Sequence, residues 1–236
     1  MQQSVTSKAT WSLIKWLLIS VSILANSQLV AHGVAEGDAA FIEGNTGIQF
    51  FPFIYLGAKH MVSGYDHLLF LLGVIFFLYR LKDIAIYVSL FAIGHSITLL
   101  WGVLNNTQVS PYIVDAIIGL SVVYKGFDNL GGFKKLLGYQ PNTKAAVLIF
   151  GFFHGFGLAT TLQDFTLSES GLVANIIAFN IGVEIGQLLA LSAILILMGY
   201  WRRTPAFQRY AFNSNAILMC LGFMLMGYQL TGYFVN

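Results

Sequence analysis

Apolar residues in this chain do not alternate with polar ones; they run in long blocks separated by short polar breaks. A helix needs about 20 mostly apolar residues to cross a hydrocarbon core about 30 Å thick. Six blocks approach or meet that length: Tyr65–Leu81, Asp83–Leu104, Pro111–Leu130, Lys144–Leu162, Leu172–Tyr200 and Phe212–Phe234. Local punctuation supports the boundaries. Ser110-Pro111 reads as an N-cap followed by proline at the first helical position, where its missing N–H costs nothing. The pattern predicts an all-α polytopic bundle of six transmembrane helices over residues 65–236. The segment before it, 32–64, is mixed polar and aromatic and is expected outside the cytoplasm, with Ile48–Leu56 along the interface.

The first thirty-one residues carry a different signature. Lys8 and Lys15 precede a short apolar stretch from Trp16 to Leu24. The small-residue triplets Ala25-Asn26-Ser27 and Leu29-Val30-Ala31 follow it. This is the order of a secretory signal peptide, and the stretch is short for a span, so residues 1–31 are expected to be cleaved.

Composition narrows the class. With 57% hydrophobic and 9% charged residues and a mean hydropathy of +0.74, the chain has almost no extramembrane mass. A net charge of +2 offers no electrostatic footprint for a nucleic acid. One cysteine, Cys220, cannot form an internal disulfide. The basic residues set the orientation. Assigning alternate loops to one side collects Arg80, Lys82, Lys125, Lys134, Lys135, Lys144, Arg202, Arg203 and Arg209 together. The positive-inside rule makes that side cytoplasmic and places the C-terminus outside, in agreement with a cleaved signal. An inner-membrane location follows as the expectation.

Against so few charges, the ionisable groups inside or beside the spans stand out: His60, Asp66, His67, His95, His154 and Glu184. A charged residue at membrane depth costs about 2.5–3.5 kcal/mol on insertion scales, so such residues mark function by default. Imidazole and carboxylate are also the ligands of borderline divalent metals. A seven-residue step returns His60 and His67 to one helical face two turns apart. Both could reach one ion only if the chain bends, and Gly64 permits that. The mundane alternative for Asp66 is a capping box with Ser63. For each histidine it is an interhelical hydrogen bond, worth about 0.6 kcal/mol on average. His95 and His154 lie midway along their spans, and His154 sits within the pair Gly151/Gly155. Glu184 sits between Gly182 and Gly186, with Asn180 and Gln187 expected on its face as supporting polar groups. By depth, His60, Asp66 and His67 are expected at the outer end and the others near the midplane, a ladder descending from outside. Asp115, Lys125 and Asp128 lie near span ends, where interfacial solvation is the expected role.

These residues resemble the HupE/UreJ family, small membrane proteins associated with nickel or cobalt supply to hydrogenase and urease. The resemblance rests on His-x5-Asp-His (His60, Asp66, His67) with Gly64 and Leu68-Leu69, and on Phe153-His154-Gly155. It extends from about Phe50 to Gly199. It implies a metal-permease-like bundle using His60, Asp66, His67 and His154; His95 and Glu184 are added from depth and polarity. Nickel-type members carry His-Pro and a second histidine after the FHG motif. Here His60 precedes Met61, and Gly155-Phe156-Gly157-Leu158-Ala159 has no histidine.

The expected function is therefore an inner-membrane permease or binding protein for a divalent transition-metal ion of the nickel, cobalt, zinc or copper type. Its partners would be the lipid bilayer and the ion, acting as a homo-oligomer or an accessory subunit, with no nucleic acid. The rival from the same residues is an intramembrane zinc-dependent hydrolase, with a carboxylate as general base. A haem or quinone carrier using His95 and His154 is a third reading. No nucleotide motif is present, so transport would run on a gradient, a potential or a partner's energy.

Overall fold

The computed structural model describes residues 46–163 and 170–235. The expected leader, residues 1–31, lies outside that range. Among the described residues the protein is all helical. The helices are α1 (Phe50–Ser63), α2 (Tyr65–Ile75), α3 (Leu81–Leu104), α4 (Pro111–Asn129), α5 (Gly132–Leu137), α6 (Thr143–Gln163), α7 (Leu172–Arg202) and α8 (Pro205–Val235). Four of them, α3, α6, α7 and α8, are long and apolar enough to cross a membrane by length and composition. The chain is a helical membrane bundle.

Five of the six expected spans reappear as α3, α4, α6, α7 and α8. The first does not. Helix ends at Ile75 rather than Leu81, leaving 11 residues, or about 17 Å at 1.5 Å per residue. The missing length is supplied from the other direction. α1 adds 14 residues and is joined to α2 through Gly64 alone. The backbone nearly continues across the joint, with Gly64 N–H donating to His60 O (3.0 Å) and Leu68 N–H to Gly64 O (3.1 Å). Gly64 itself is extended, with φ −73° and ψ 104°, so the two helices form one bent element. Ile48–Leu56, expected along the interface, falls largely within α1, which packs along α7.

Three close helix pairs build the bundle, each through glycines. Gly57 on α1 meets Phe179 and Val183 of α7, and Gly182 and Gly186 on α7 meet Ile54 and Ala58. Gly151 and Gly155 on α6 lie against Phe91 and His95 of α3. Gly119 on α4 and Gly222 on α8 face each other. Lipid tails are as apolar as leucine, so helix association in a membrane depends on such close backbone approach more than on the hydrophobic effect. The two small-residue pairs noted in α6 and α7 therefore serve different partners. α2 sits among these pairs and touches α4, α7 and α8.

Candidate metal centre

The break at Gly64 decides where the first motif lies. Because α1 continues the element past Gly64, His67 begins the second half of a bent helix instead of heading a span. Its ring lies 5.0 Å from His154, 6.3 Å from His95 and 5.2 Å from His60, centroid to centroid. His95 and His154 are midway along α3 and α6. The expected ladder of ligands by depth is thus corrected to one layer near the middle of the bundle. The bend that would let His60 and His67 approach is present.

Asp66, His67 and His154 each present one ligand atom within 4.8 Å of the others, and all three residues are buried. His67 Nδ1 lies 3.1 Å from Asp66 Oδ1. His154 Nδ1 donates to Phe150 O at 2.8 Å. With Nδ1 as the donor, the neutral ring has its lone pair on Nε2, the arrangement in which a backbone carbonyl orients a ligating imidazole. Ligand atoms around a tetrahedral ion with bonds of about 2.0–2.1 Å stand about 3.4 Å apart. The donor set suits borderline transition metals, since magnesium and calcium favour all-oxygen shells.

Gly64 has a second role besides the bend. A Cβ there would stand 2.7 Å from His67 Nδ1 and 3.0 Å from Asp66 Oδ1. The cradle beside those two atoms exists because residue 64 has no side chain. Ser63 is the last residue of α1, and its hydroxyl donates to Lys59 O at 2.8 Å. It does not cap α2, so the capping box does not form.

His95 is fully buried and joins the layer through its ring contacts with His67 and Phe91. One turn on, the Thr98 hydroxyl ties its helix to α6, lying 2.8 Å from Phe152 O on α6, 3.0 Å from Gly94 O and 3.3 Å from the backbone His95 O. Gly155 makes this approach possible, because a methyl there would overlap both His95 O and Thr98 Oγ1. Sequence reading did not single out Thr98; its one-turn step from Gly94-His95 was the available signal.

Glu184 departs from expectation. Asn180 and Gln187 are buried on α7, but Glu184 between them is exposed. Asn180 Nδ2 donates to Ile176 O at 3.2 Å, while its Oδ1 and the Nε2 of Gln187 are buried without a hydrogen-bond partner among the described residues.

The span-end charges also differ from the interfacial role expected of them. Lys125 is buried at 4% exposure and reaches Asp128 Oδ2 at 2.6 Å. Gln140 Nε2 and Thr143 Oγ1 also donate to Asp128. Asp115 is buried as well, accepting from Gln229 Nε2 on α8 at 3.0 Å. α4 packs between other helices at both ends, so its charges find protein partners where water was expected.

A family model described as HupE / UreJ protein matches residues 36–236. No curated protein and no solved structure matches the chain. Matched over most of its length, and with both motifs of the resemblance meeting in one buried cluster, the chain belongs to the HupE/UreJ family.

Proposed function

We propose that the protein is a permease of the inner membrane for a divalent transition-metal cation, held in transit by Asp66, His67 and His154. The observation that carries this reading is the convergence of those three buried ligand atoms at the middle of a membrane bundle. His60 and His95 flank His67 on two other helices and would take the ion on and off. The carboxylate offsets part of the cation's charge, and the imidazoles hold it firmly enough to enter without trapping it. Nickel and cobalt come first among cargoes by family, with zinc and copper admitted by the same donors. The leader would be cleaved and the C-terminus would lie outside, as the basic residues suggest.

A second reading draws on the same trio. Two histidines and an aspartate leave a position open for water, the pattern of catalytic zinc, and an intramembrane hydrolase would use it. Glu184, on the exposed side of α7, is poorly placed as its general base. Metal content of detergent-purified protein, compared with His67→Ala and His154→Ala, tests both readings. About one ion per chain in wild type, lost in both variants, is expected. Liposome flux of that ion then supports the permease; hydrolysis of a lipid amide or ester without flux would replace it.

A further inference from the structure

Three of the four histidines of the central layer, those on α2, α3 and α6, each have a phenylalanine one turn nearer the end of the bundle that bears the basic loops. On α2 the pair is His67 and Phe70, on α3 it is His95 and Phe91, and on α6 it is His154 and Phe150. α2 runs toward that end while α3 and α6 run away from it, so the steps of +3, −4 and −4 all point the same way. The rings meet. Phe70 lies 5.3 Å from Phe91 and 6.0 Å from Phe150. Phe91 and Phe70 also pack on His154, at 4.8 Å and 5.6 Å. Phe70 and Phe91 are 1% and 2% exposed.

One further turn repeats the pattern with valines. Val74, Val88 and Val147 follow on the same three helices, all buried in the same core cluster. Beside them, Gly73 packs on the side chain of Lys125, and the Lys125–Asp128 pair marks the next polar level. Polar ligands, an aromatic layer, an aliphatic layer and a polar pair thus succeed one another along the bundle.

The geometry points to Phe70, Phe91 and Phe150, backed by Val74, Val88 and Val147, as the gate that separates the metal centre from the basic, inner side. This rests on the permease reading. Water and a hydrated ion do not enter a closed apolar constriction, which gates by dewetting. Phe70 is the central ring, touching both others, and it rides on the short helix hinged at Gly64. Its displacement opens the septum, and its return seals the site.

The test uses the full chain in liposomes with a trapped nickel indicator in one set and a trapped pH dye in another. Phe70→Ala is expected to raise both nickel entry and proton leak about tenfold, because the dry layer is breached. Nickel affinity in detergent should stay within about threefold of wild type, since no ligand is removed. A folded Phe70→Ala protein with both leaks unchanged or lower overturns the gate. If that variant does not fold, Phe70→Leu takes its place, with a rise of about two- to threefold expected and an unchanged leak overturning the proposal. Proton leak that rises in a protein binding no nickel upholds the septum as a seal while refuting the cargo.

Discussion

The two ends of α2 carry two buried polar clusters of opposite design. At its N-terminal end, Asp66 and His67 meet His154, with His60 and His95 alongside, a cluster of imidazoles around one carboxylate. At its C-terminal end each acceptor has a donor supplied by the protein. Asn129 Nδ2 donates to Gly73 O at 2.8 Å and to Asn215 Oδ1 at 2.9 Å. Arg202 donates to Ile75 O and Phe76 O and stacks over Tyr79 at 4.7 Å. Lys125 neutralises Asp128. A buried cluster that carries its own cations is a staple between helices. A cluster of imidazoles and a carboxylate has the donor chemistry of a transition-metal site, and the proposed function assigns it that role. Burial alone does not distinguish them; the chemical sense of the groups does.

The comparison can be broken by removing one partner from each cluster. Lys125→Met should be the most destabilising change, by about 3–5 kcal/mol, because it leaves the buried Asp128 charge without its countercharge. Lys125→Met combined with Asp128→Leu should recover much of that loss in thermal melts. His67→Ala should do the reverse, abolishing metal binding while shifting the melting temperature far less. Equal destabilisation by both single variants would erase the distinction between staple and site.

Gly64→Ala sharpens the comparison without deleting a ligand. Its φ suits alanine, but the added methyl intrudes on His67 Nδ1 and Asp66 Oδ1. Metal affinity should fall about tenfold, or about 1.4 kcal/mol, with the fold retained. Titration calorimetry showing full affinity would place the ion away from Gly64. Thr98→Val removes the hydroxyl linking α3 to α6, so stability should drop by about 0.6 kcal/mol, the usual worth of one interhelical hydrogen bond. A loss several times larger would make Thr98 the main support of His95. The smallest effect is expected from Glu184→Gln. Affinity should stay within about twofold, since the side chain faces outward; a large loss would return Glu184 to the site.

Much of the site was legible because ionisable residues are scarce in a chain this apolar, and depth made His67, His95 and His154 conspicuous. What misled was geometry that periodicity does not carry. Glu184 lies about 40° around the helix from Asn180 and about 60° from Gln187 at 100° per residue. Those angles put it at the border of the buried face, where a neighbouring helix decides which side it takes. Asp115 and Lys125 stand near span ends, where solvation is the expectation from sequence. Cross-helix partners, invisible along the chain, had already claimed Asp115, and Lys125 had turned back to Asp128.

By itself the sequence determined the class and which ionisable residues lie at membrane depth. Long apolar blocks admit only helices in a membrane, where every backbone amide must bond within its own segment. Histidine and aspartate at membrane depth admit few roles besides binding or bonding. Only the tertiary structure decided that the motif's two halves sit on either side of a bend at Gly64 and that five residues from four helices share one layer. It also set Phe70, Phe91 and Phe150 together on one side of that layer. Those facts depend on which glycine faces which backbone, and close approach between helices is settled by packing across the bundle, not by the order of residues along it.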